Sequence, residues 1–234
     1  MIDWCIHHKT ETASTNLDAR GGVHGDVFTA DYQTAGRGRL AHKWLSPPKT
    51  NLMMSVVLSV EGLAPEQVAT LPLVVGLAVC KTLSANCQLK WPNDILIGGK
   101  KVAGILCERQ GDCVIAGIGI NVKKQRFPDE IANKAIALGL DSIEEVRDSV
   151  LLELSKAYEQ WKTAGFSTVY PSIAAVDFLK GREIAVRQTD NDAAPIAGVC
   201  GGIQPDGALD VGGVKVYAGE VHVFLGPLAV SVKI

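Results

Sequence analysis

The feature that most restricts the fold of this chain is Gly98-Gly99, which separates two strand-like runs at residues 88–97 and 101–108. Two glycines between such runs are typical of a tight β-hairpin turn, because glycine adopts the positive φ angles that this turn requires. We therefore predict an antiparallel hairpin. Its return strand would bring Lys101 toward the strand that contains Asp94.

The segments around this hairpin predict a mixed α and β region that ends near residue 177. Further strands are expected at 27–33, 52–60 and Val114–Val122. A helix is expected to begin at Pro65 and to be kinked or interrupted by Pro72. Ser142-Ile-Glu-Glu145 has the pattern of a capping box, and the helix it opens should end near Gly165.

The sequence changes character after residue 177. Short strand-like runs alternate there with Asp-Asn-Asp, Pro-Asp-Gly and Gly-Gly turns, which is typical of a small β-barrel. We predict an α+β fold with one domain over residues 1–177 and a second, all-β domain over residues 178–234.

Composition excludes several classes of protein. The chain has 234 residues and a net charge of −2, so no overall field attracts nucleic acid or an anionic membrane. The longest apolar stretch, Leu71 to Val79, is too short to span a bilayer, and the first residues do not have the pattern of a signal peptide. The six cysteines are scattered without Cys-x2-Cys spacing, which favours reduced, buried thiols over disulfides or a zinc site. A cytoplasmic location is expected.

A long basic loop, Thr34–Asn51, contains four Lys/Arg residues and no acid. Within it, Gly36-Arg37-Gly38-Arg39 combines two guanidiniums with two glycines. If these glycines took positive φ angles, their backbone N–H groups would converge on an anion. The same four residues are also typical of a solvated basic turn.

The segment from Lys90 to Asp94 places a lysine, an amide and a carboxylate beside the predicted hairpin. Lys101 near a reacting carboxylate or phosphate would offset growing negative charge. Asp94 would bind Mg²⁺ or accept a proton from an incoming amine. Taken singly, Asn93 and Asp94 are also ordinary turn formers.

Two smaller motifs are candidates for ligand contacts. Gly117-Ile-Gly119-Ile-Asn121 lacks the third glycine of a dinucleotide fingerprint, so we predict close backbone approach to a flat ligand, with Asn121 at a base edge. Ser14-Thr15-Asn16 is either a helix N-cap or a cluster that hydrogen-bonds a neutral head group.

The order of these motifs resembles the biotin protein ligase family. Ser14-Thr15-Asn16, Gly-Arg-Gly-Arg with Trp44 and Ser46-Pro47 downstream, Lys-Trp-Pro-Asn-Asp, Lys101-x-x-Gly-Ile-Leu and Gly-Ile-Gly-Ile-Asn-Val follow one another between about residues 9 and 122. The likeness continues more loosely into Gly201–Leu209. It implies a mixed β-sheet flanked by helices, of the class II synthetase-like kind, with a C-terminal SH3-like barrel.

The resemblance implies that biotin and ATP form biotinyl-5′-adenylate, from which a lysine of a biotin carboxyl carrier protein takes the biotin. It also implies residue roles. Biotin would be bound by Ser14, Thr15, Asn16, Gln33, Gly36, Arg37, Lys101, Gly104 and Gly117. ATP or the adenylate would be bound by Arg37, Arg39, Trp44, Asn93, Lys101 and Asn121. Lys101, Arg39 and Asp94 would be catalytic, with Mg²⁺ on Asp94.

The sequence departs from the family pattern within the loop, where Leu40-Ala41-His42 stands in place of x-Gly-Arg. We expect biotin activation to survive and retention of the adenylate to be weaker. The segment before Glu11 leaves no room for a winged-helix domain, so no nucleic-acid partner is expected, and no membrane partner either. A homodimer through the central sheet is a family expectation.

Two other functions remain open at this stage. A lipoate or octanoate ligase would share the core fold, although Lys-Trp-Pro-Asn-Asp and the C-terminal domain are biotin-type features. A non-catalytic scaffold that holds biotin or its adenylate would explain the altered loop.

Overall fold

The computed structural model describes residues 1–83, 85–188 and 194–224, and the predicted Asp190-Asn191-Asp192 turn lies outside them. The larger part is built on a seven-stranded sheet in the order β1-β2-β3-β7-β6-β5-β4. Its strands are β1 (Cys5–Thr12), β2 (Asp26–Gln33), β3 (Asn51–Ser59), β4 (Cys87–Lys90), β5 (Asp94–Ile97), β6 (Lys100–Gln110) and β7 (Cys113–Asn121). The β1–β2 pair is parallel and the other pairs are antiparallel, so the predicted mixed sheet is confirmed.

The central hairpin forms as predicted, but its first arm is not a single strand. β5 and β6 pair with Ile97 opposite Lys100, and Gly98 and Gly99 have φ angles of 57° and 76°. The predicted run 88–97 divides into β4 and β5, which pair with each other. The chain reverses between them at Trp91–Asn93, where Pro92 has no N–H to continue a ladder.

In the described part of the chain five α-helices accompany the sheet: α1 (Thr15–Asp18), α2 (Pro65–Ala69), α3 (Leu71–Leu83), α4 (Ile143–Ala164) and α5 (Phe166–Ala175). The break between α2 and α3 falls just before Pro72, as predicted. Ser142 caps α4 by accepting a hydrogen bond from Glu145 N at 3.1 Å, and Gly165 follows the helix with φ 82°. The sequence analysis did not foresee α5, because Gly165 both ends α4 and precedes the next helix.

The core lies between one face of the sheet and the α3–α4 layer. The stretch Pro65–Leu83 is long and apolar enough to cross a membrane by length and composition, but 61% of its most apolar window is buried inside the protein. Tyr158 and Trp161 of α4 are fully buried against this layer. The sheet's opposite face is therefore the one left for a ligand.

The C-terminal part forms a five-stranded antiparallel sheet in the order β11-β10-β9-β8-β12. Its strands are β8 (Glu183–Arg187), β9 (Ile196–Ile203), β10 (Leu209–Val211), β11 (Val214–Val216) and β12 (Glu220–Val223). Among the described residues, β11 and β12 each pair with one strand only, so these strands make an open sheet and not the closed barrel that was expected. Asp177 joins the two parts, because its carboxylate accepts hydrogen bonds from Leu179 N and Ile203 N, both at 2.8 Å.

Candidate active site

The floor of the candidate site is the face of β3, β7 and β6 that points away from the α3–α4 layer. Side chains alternate across a strand, so the Gly-Ile-Gly-Ile repeat of β7 turns Ile118 and Ile120 into the core and Gly117 and Gly119 toward the open face. In register, Gly117 lies between Ser55 and Leu106, and Gly119 lies between Met53 and Gly104. The two glycines therefore add no side-chain bulk to this face, and close approach of a ligand to them stays a prediction.

One end of this floor carries a network of neutral polar groups. Gln33 Oε1 accepts hydrogen bonds from Thr15 N at 2.7 Å and from Thr15 Oγ1 at 3.1 Å. Ser55 Oγ lies 2.7 Å from Thr15 Oγ1 and 2.6 Å from Asn16 Oδ1. Ser14, Thr15, Asn16 and Ser55 are all buried. The tripeptide 14–16 is thus both the start of α1 and a wall of the site.

Glu108 connects this network to the basic loop. Its carboxylate accepts a hydrogen bond from Asn16 Nδ2 at 2.7 Å and two from Arg37 Nη2, at 2.8 and 2.9 Å. The Arg37 guanidinium is therefore paired with a carboxylate, although its side chain remains 42% exposed. It is held against the polar end of the floor.

The basic loop folds back on itself as a small hairpin. Gly38 N donates to His42 O at 2.7 Å, and Trp44 N donates to Gly36 O at 3.0 Å. The prediction that Gly36 and Gly38 use positive φ angles is wrong: the positive φ in this part of the loop belongs to Leu40, at 53°. Gly36 is needed for space, because a Cβ there would lie 2.6 Å from Trp44 O.

Trp44 covers the other end of the glycine floor. A Cβ on Gly119 would lie 2.5 Å from Trp44 Cε2, and one on Gly104 would lie 3.3 Å from Trp44 Cζ3. Lys101 Nζ is 5.7 Å from the centre of the indole ring. The indole Nε1 is buried without a hydrogen-bond partner among the described residues, so it is a free donor at the site.

Charged groups gather beside Trp44. Lys101 Nζ lies 2.6 Å from Asp94 Oδ1, which confirms the juxtaposition expected from the hairpin. Arg39 Nη1 donates to Asn93 Oδ1 and to Gly219 O of the C-terminal sheet, both at 3.4 Å. Lys90 is the register partner of Asp94.

Burial alters the proton affinity of two of these bases. Desolvation lowers the pKa of Lys90, while the carboxylates of Asp94 and Glu220 act in the opposite direction. Desolvation likewise lowers the pKa of Arg39, against the same two carboxylates. An anion of high charge density bound here would contact several cations that water solvates only in part.

These groups line two adjoining cavities. The smaller, of about 270 Å³, is lined by most of the predicted residues: Ser14, Thr15, Asn16, Gln33, Arg37, Arg39, Trp44, Asn93, Asp94, Lys101, Gly104 and Gly117. The larger groove, of about 1660 Å³, is the one that Gly36 and Asn121 line. Trp44 and Lys101 border both cavities.

Asn121 has a structural role in this state. It is 5% exposed; its Nδ2 donates to Ile136 O at 3.1 Å and its Oδ1 accepts from Asn51 Nδ2 at 3.2 Å. Contact with a base edge therefore stays a prediction. It would use the hydrogen-bonding positions of the Asn121 amide that the contacts with Ile136 and Asn51 leave open.

Sequence reasoning missed four residues of the site: Ser55, Lys90, Glu108 and Glu220. The two-residue period of a strand gave a signal for Glu108, which lies on the same face as Gly104 and Leu106. Lys90 belongs to the segment already singled out and had been given no role. Nothing local in the sequence marked Ser55 or Glu220.

Comparisons with known proteins agree with this geometry. Residues 6–124 match the model of the biotin/lipoate A/B protein ligase family. A biotin–[acetyl-CoA-carboxylase] ligase of Mycobacterium tuberculosis is 33% identical over 237 residues, covering 90% of this chain and 86% of that protein. A bifunctional ligase/repressor of Bacillus spizizenii is 35% identical over 177 residues, and the match spans 54% of its length, about half.

Solved structures give the same assignment for the fold. The biotin protein ligase from Aquifex aeolicus, determined in complex with biotin and ATP, superposes with a TM-score of 0.82 at 31% identity. The superposition covers 94% of this chain and 98% of the Aquifex chain. The similarity therefore includes the C-terminal sheet as well as the central one.

Proposed function

This chain belongs to the biotin/lipoate A/B protein ligase family, and we propose that it is an ATP-dependent biotin protein ligase. It would form biotinyl-5′-AMP from biotin and ATP and transfer the biotin to a lysine of a biotin carboxyl carrier protein. The observation that supports this most directly is that the glycine-containing floor of the site has neutral polar groups at one end and cationic groups at the other.

The neutral end suits the ureido ring of biotin. That ring is uncharged and has both donors and acceptors, so it needs neutral hydrogen-bonding partners in a desolvated place. Thr15, Asn16, Gln33 and Ser55 supply such groups in one connected network. Ser14 lies beside them in the same buried turn. A long hydrocarbon chain has no donor or acceptor to offer these groups, which disfavours lipoate or octanoate.

The cationic end suits the reacting carboxylate and phosphate. Biotin's carboxylate would attack the α-phosphorus of ATP and pyrophosphate would leave, while negative charge grows on the phosphoryl oxygens. Lys101 would stabilise that charge, Arg39 would contact the phosphate and Arg37 would close the loop over the biotin tail; all three line the smaller cavity. Gly104 and Gly117 line the same cavity and would form walls close to the bound ligand.

In the second step a carrier lysine would attack the acyl carbon of the mixed anhydride and AMP would leave. Asp94 is the carboxylate beside Lys101, and it would accept a proton from the incoming ammonium group. Mg²⁺ usually binds to one or two carboxylates together with the phosphates of the substrate. Asp94 would supply such a carboxylate. Among the described residues, this cavity holds no cluster of three metal-ligating side chains.

The nucleotide would occupy the Trp44 end of the floor, extending into the larger groove. Trp44 offers an aromatic face and a free Nε1 donor, Asn93 lies next to Arg39, and Asn121 lines the groove further out. Gly219 and Glu220 border the smaller cavity, so the C-terminal part would take part in the site. We retain for that part the SH3-like description and a domain boundary near residue 177. A homodimer, a cytoplasmic location and a carrier from acetyl-CoA carboxylase or a related enzyme complete the proposal.

Pyrophosphate release with biotin, lipoate or octanoate as the sole acid tests the substrate. With ATP and Mg²⁺ present, we expect pyrophosphate release with biotin and none with lipoate or octanoate. Release with lipoate and none with biotin would refute the proposal.

Transfer is tested separately with radiolabelled biotin, ATP, Mg²⁺ and a carrier domain. We expect one label per carrier lysine, while a carrier whose acceptor lysine is changed to arginine stays unlabelled. Binding of biotin without any labelled carrier, at any enzyme loading, would assign the chain as a scaffold instead.

The altered loop gives a prediction about the intermediate. His42 Nε2 lies 3.8 Å from Glu220 Oε1, near the cationic end of the site, and its neutral form has no charge to offer a phosphate. The double variant Ala41→Gly/His42→Arg should therefore lengthen the half-life of the bound adenylate several-fold, because arginine keeps its charge. The measurement is release of labelled biotinyl-5′-AMP from preloaded enzyme after dilution. Equal or faster release would show that these positions do not limit retention.

A further inference from the structure

A cluster of three metal-ligating side chains lies outside the candidate site, at the start of the β1–β2 pair. Cys5 and His7 are two residues apart on β1 and so share one face of the strand. Asp26 begins β2 and is the register partner of Cys5. Their ligand atoms all lie within 4.8 Å of one another.

The distances suit a tetrahedral ion. Metal–ligand lengths of about 2.0–2.3 Å place tetrahedral ligand atoms roughly 3.3–3.6 Å apart. His7 Nε2 and Asp26 Oδ1 are already 3.0 Å apart, so these two need to separate by only a few tenths of an ångström. The Cys5 side chain is exposed and can complete the triangle by a rotamer change.

Neighbouring groups hold two of the three ligands in place. Asp26 Oδ2 accepts a hydrogen bond from Val23 N at 2.9 Å, which leaves Oδ1 to face His7. The His7 ring stacks on Phe28, with centroids 4.8 Å apart and an angle of 25° between the planes. Such outer contacts orient ligands in metal sites and strengthen binding.

We propose that Cys5, His7 and Asp26 bind a transition-metal ion of the Zn²⁺ class, with a water at the fourth position. One thiolate, one imidazole and one carboxylate form a donor set for zinc and cobalt(II), and not for Mg²⁺ or Ca²⁺, which prefer oxygen ligands alone. Binding releases the thiol proton of Cys5 to solvent and replaces the hydrogen bond between His7 and Asp26.

The ion would fasten the first residues of β1 to β2. Within residues 1–83, 85–188 and 194–224, β1 is an edge strand that pairs with β2 alone, and seven of its eight residues are exposed. An ion that binds only when these two strands are paired stabilises that pairing by mass action. The same strand leads directly to Ser14 and α1, so it carries one wall of the candidate site.

Cobalt(II) titration of the metal-free, untagged full chain under reducing conditions tests the site. We expect one cobalt per chain, the visible absorption of tetrahedral cobalt and a thiolate charge-transfer band in the near ultraviolet. Cys5→Ser should abolish the thiolate band, and His7→Gln should weaken binding at least about tenfold. His8→Gln, on the opposite face of the same strand, and Cys113→Ser are matched controls that should bind as the wild type does.

Thermal unfolding provides a second measurement. Zn²⁺ should raise the unfolding temperature of the wild type and of His8→Gln by a few degrees and leave that of Cys5→Ser unchanged. The proposal is overturned if the wild type shows no thiolate band at millimolar-order cobalt. It is also overturned if His8→Gln or Cys113→Ser weakens binding as much as His7→Gln does.

Discussion

Lys101→Ala is expected to slow biotin-dependent pyrophosphate release by roughly 100- to 1,000-fold, the range seen for loss of one preorganised charge-stabilising donor. Lys101 lies between the glycine floor and Asp94, with its Nζ 2.6 Å from Asp94 Oδ1. Alanine removes the cation and also leaves the negative charge of Asp94 without its ion-pair partner beside the reacting anions. Both effects raise the barrier to attack of one anion on another.

The matched control is Lys100→Ala, which removes the adjacent, exposed lysine of the same strand. It should remain within about twofold of the wild type, since surface charges act weakly at a distance. The rate constant is measured by single-turnover formation of biotinyl-5′-AMP, so that product release does not obscure the chemical step. A Lys101→Ala rate within tenfold of the wild type would remove this residue from the catalytic role proposed for it.

The approach of Lys101 to Asp94 could be predicted because local chemistry determines it. Gly98-Gly99 sets a two-residue turn, and the turn sets the register that returns β6 alongside β5. The capping of α4 by Ser142 and its end at Gly165 were predictable for the same reason. Each depends on residues within a few positions of one another.

The remaining parts depend on contacts between distant segments. Ser55 joins the polar network through Thr15 and Asn16, about 40 positions away, and Glu108 meets Asn16 across 92 positions. No local pattern encodes such distances. Gly36 was predicted to be glycine because of a positive φ angle. The structural reason is the close approach of Trp44 O, which depends on how the loop folds and has no signature in the local sequence.

Gly117→Ala is expected to raise the KM for biotin by about 10- to 100-fold. A Cβ at this position would overlap Asn16 Oδ1 and would lie 3.0 Å from Asn16 Cγ, so Asn16 would have to move. Asn16 is 4% exposed and is held by Ser55 and Glu108, so it has no free direction in which to move. Displacing it leaves buried polar groups unpaired, at a cost of about 1–3 kcal/mol, or about 5- to 150-fold in KM, which includes the expected range.

A double-mutant cycle with Asn16→Ala separates this mechanism from general damage to the fold. If the alanine methyl acts by displacing the Asn16 amide, it should add little in the Asn16→Ala background, where that amide is gone. Steady-state KM for biotin is measured for all four proteins, with thermal unfolding to confirm that each is folded at the assay temperature. Additive losses would mean that the methyl obstructs biotin directly, and Gly117 would then be a wall of the pocket whose effect does not pass through Asn16. Strong non-additivity would instead establish the polar network of Asn16, Ser55 and Glu108 as the element that the glycine protects.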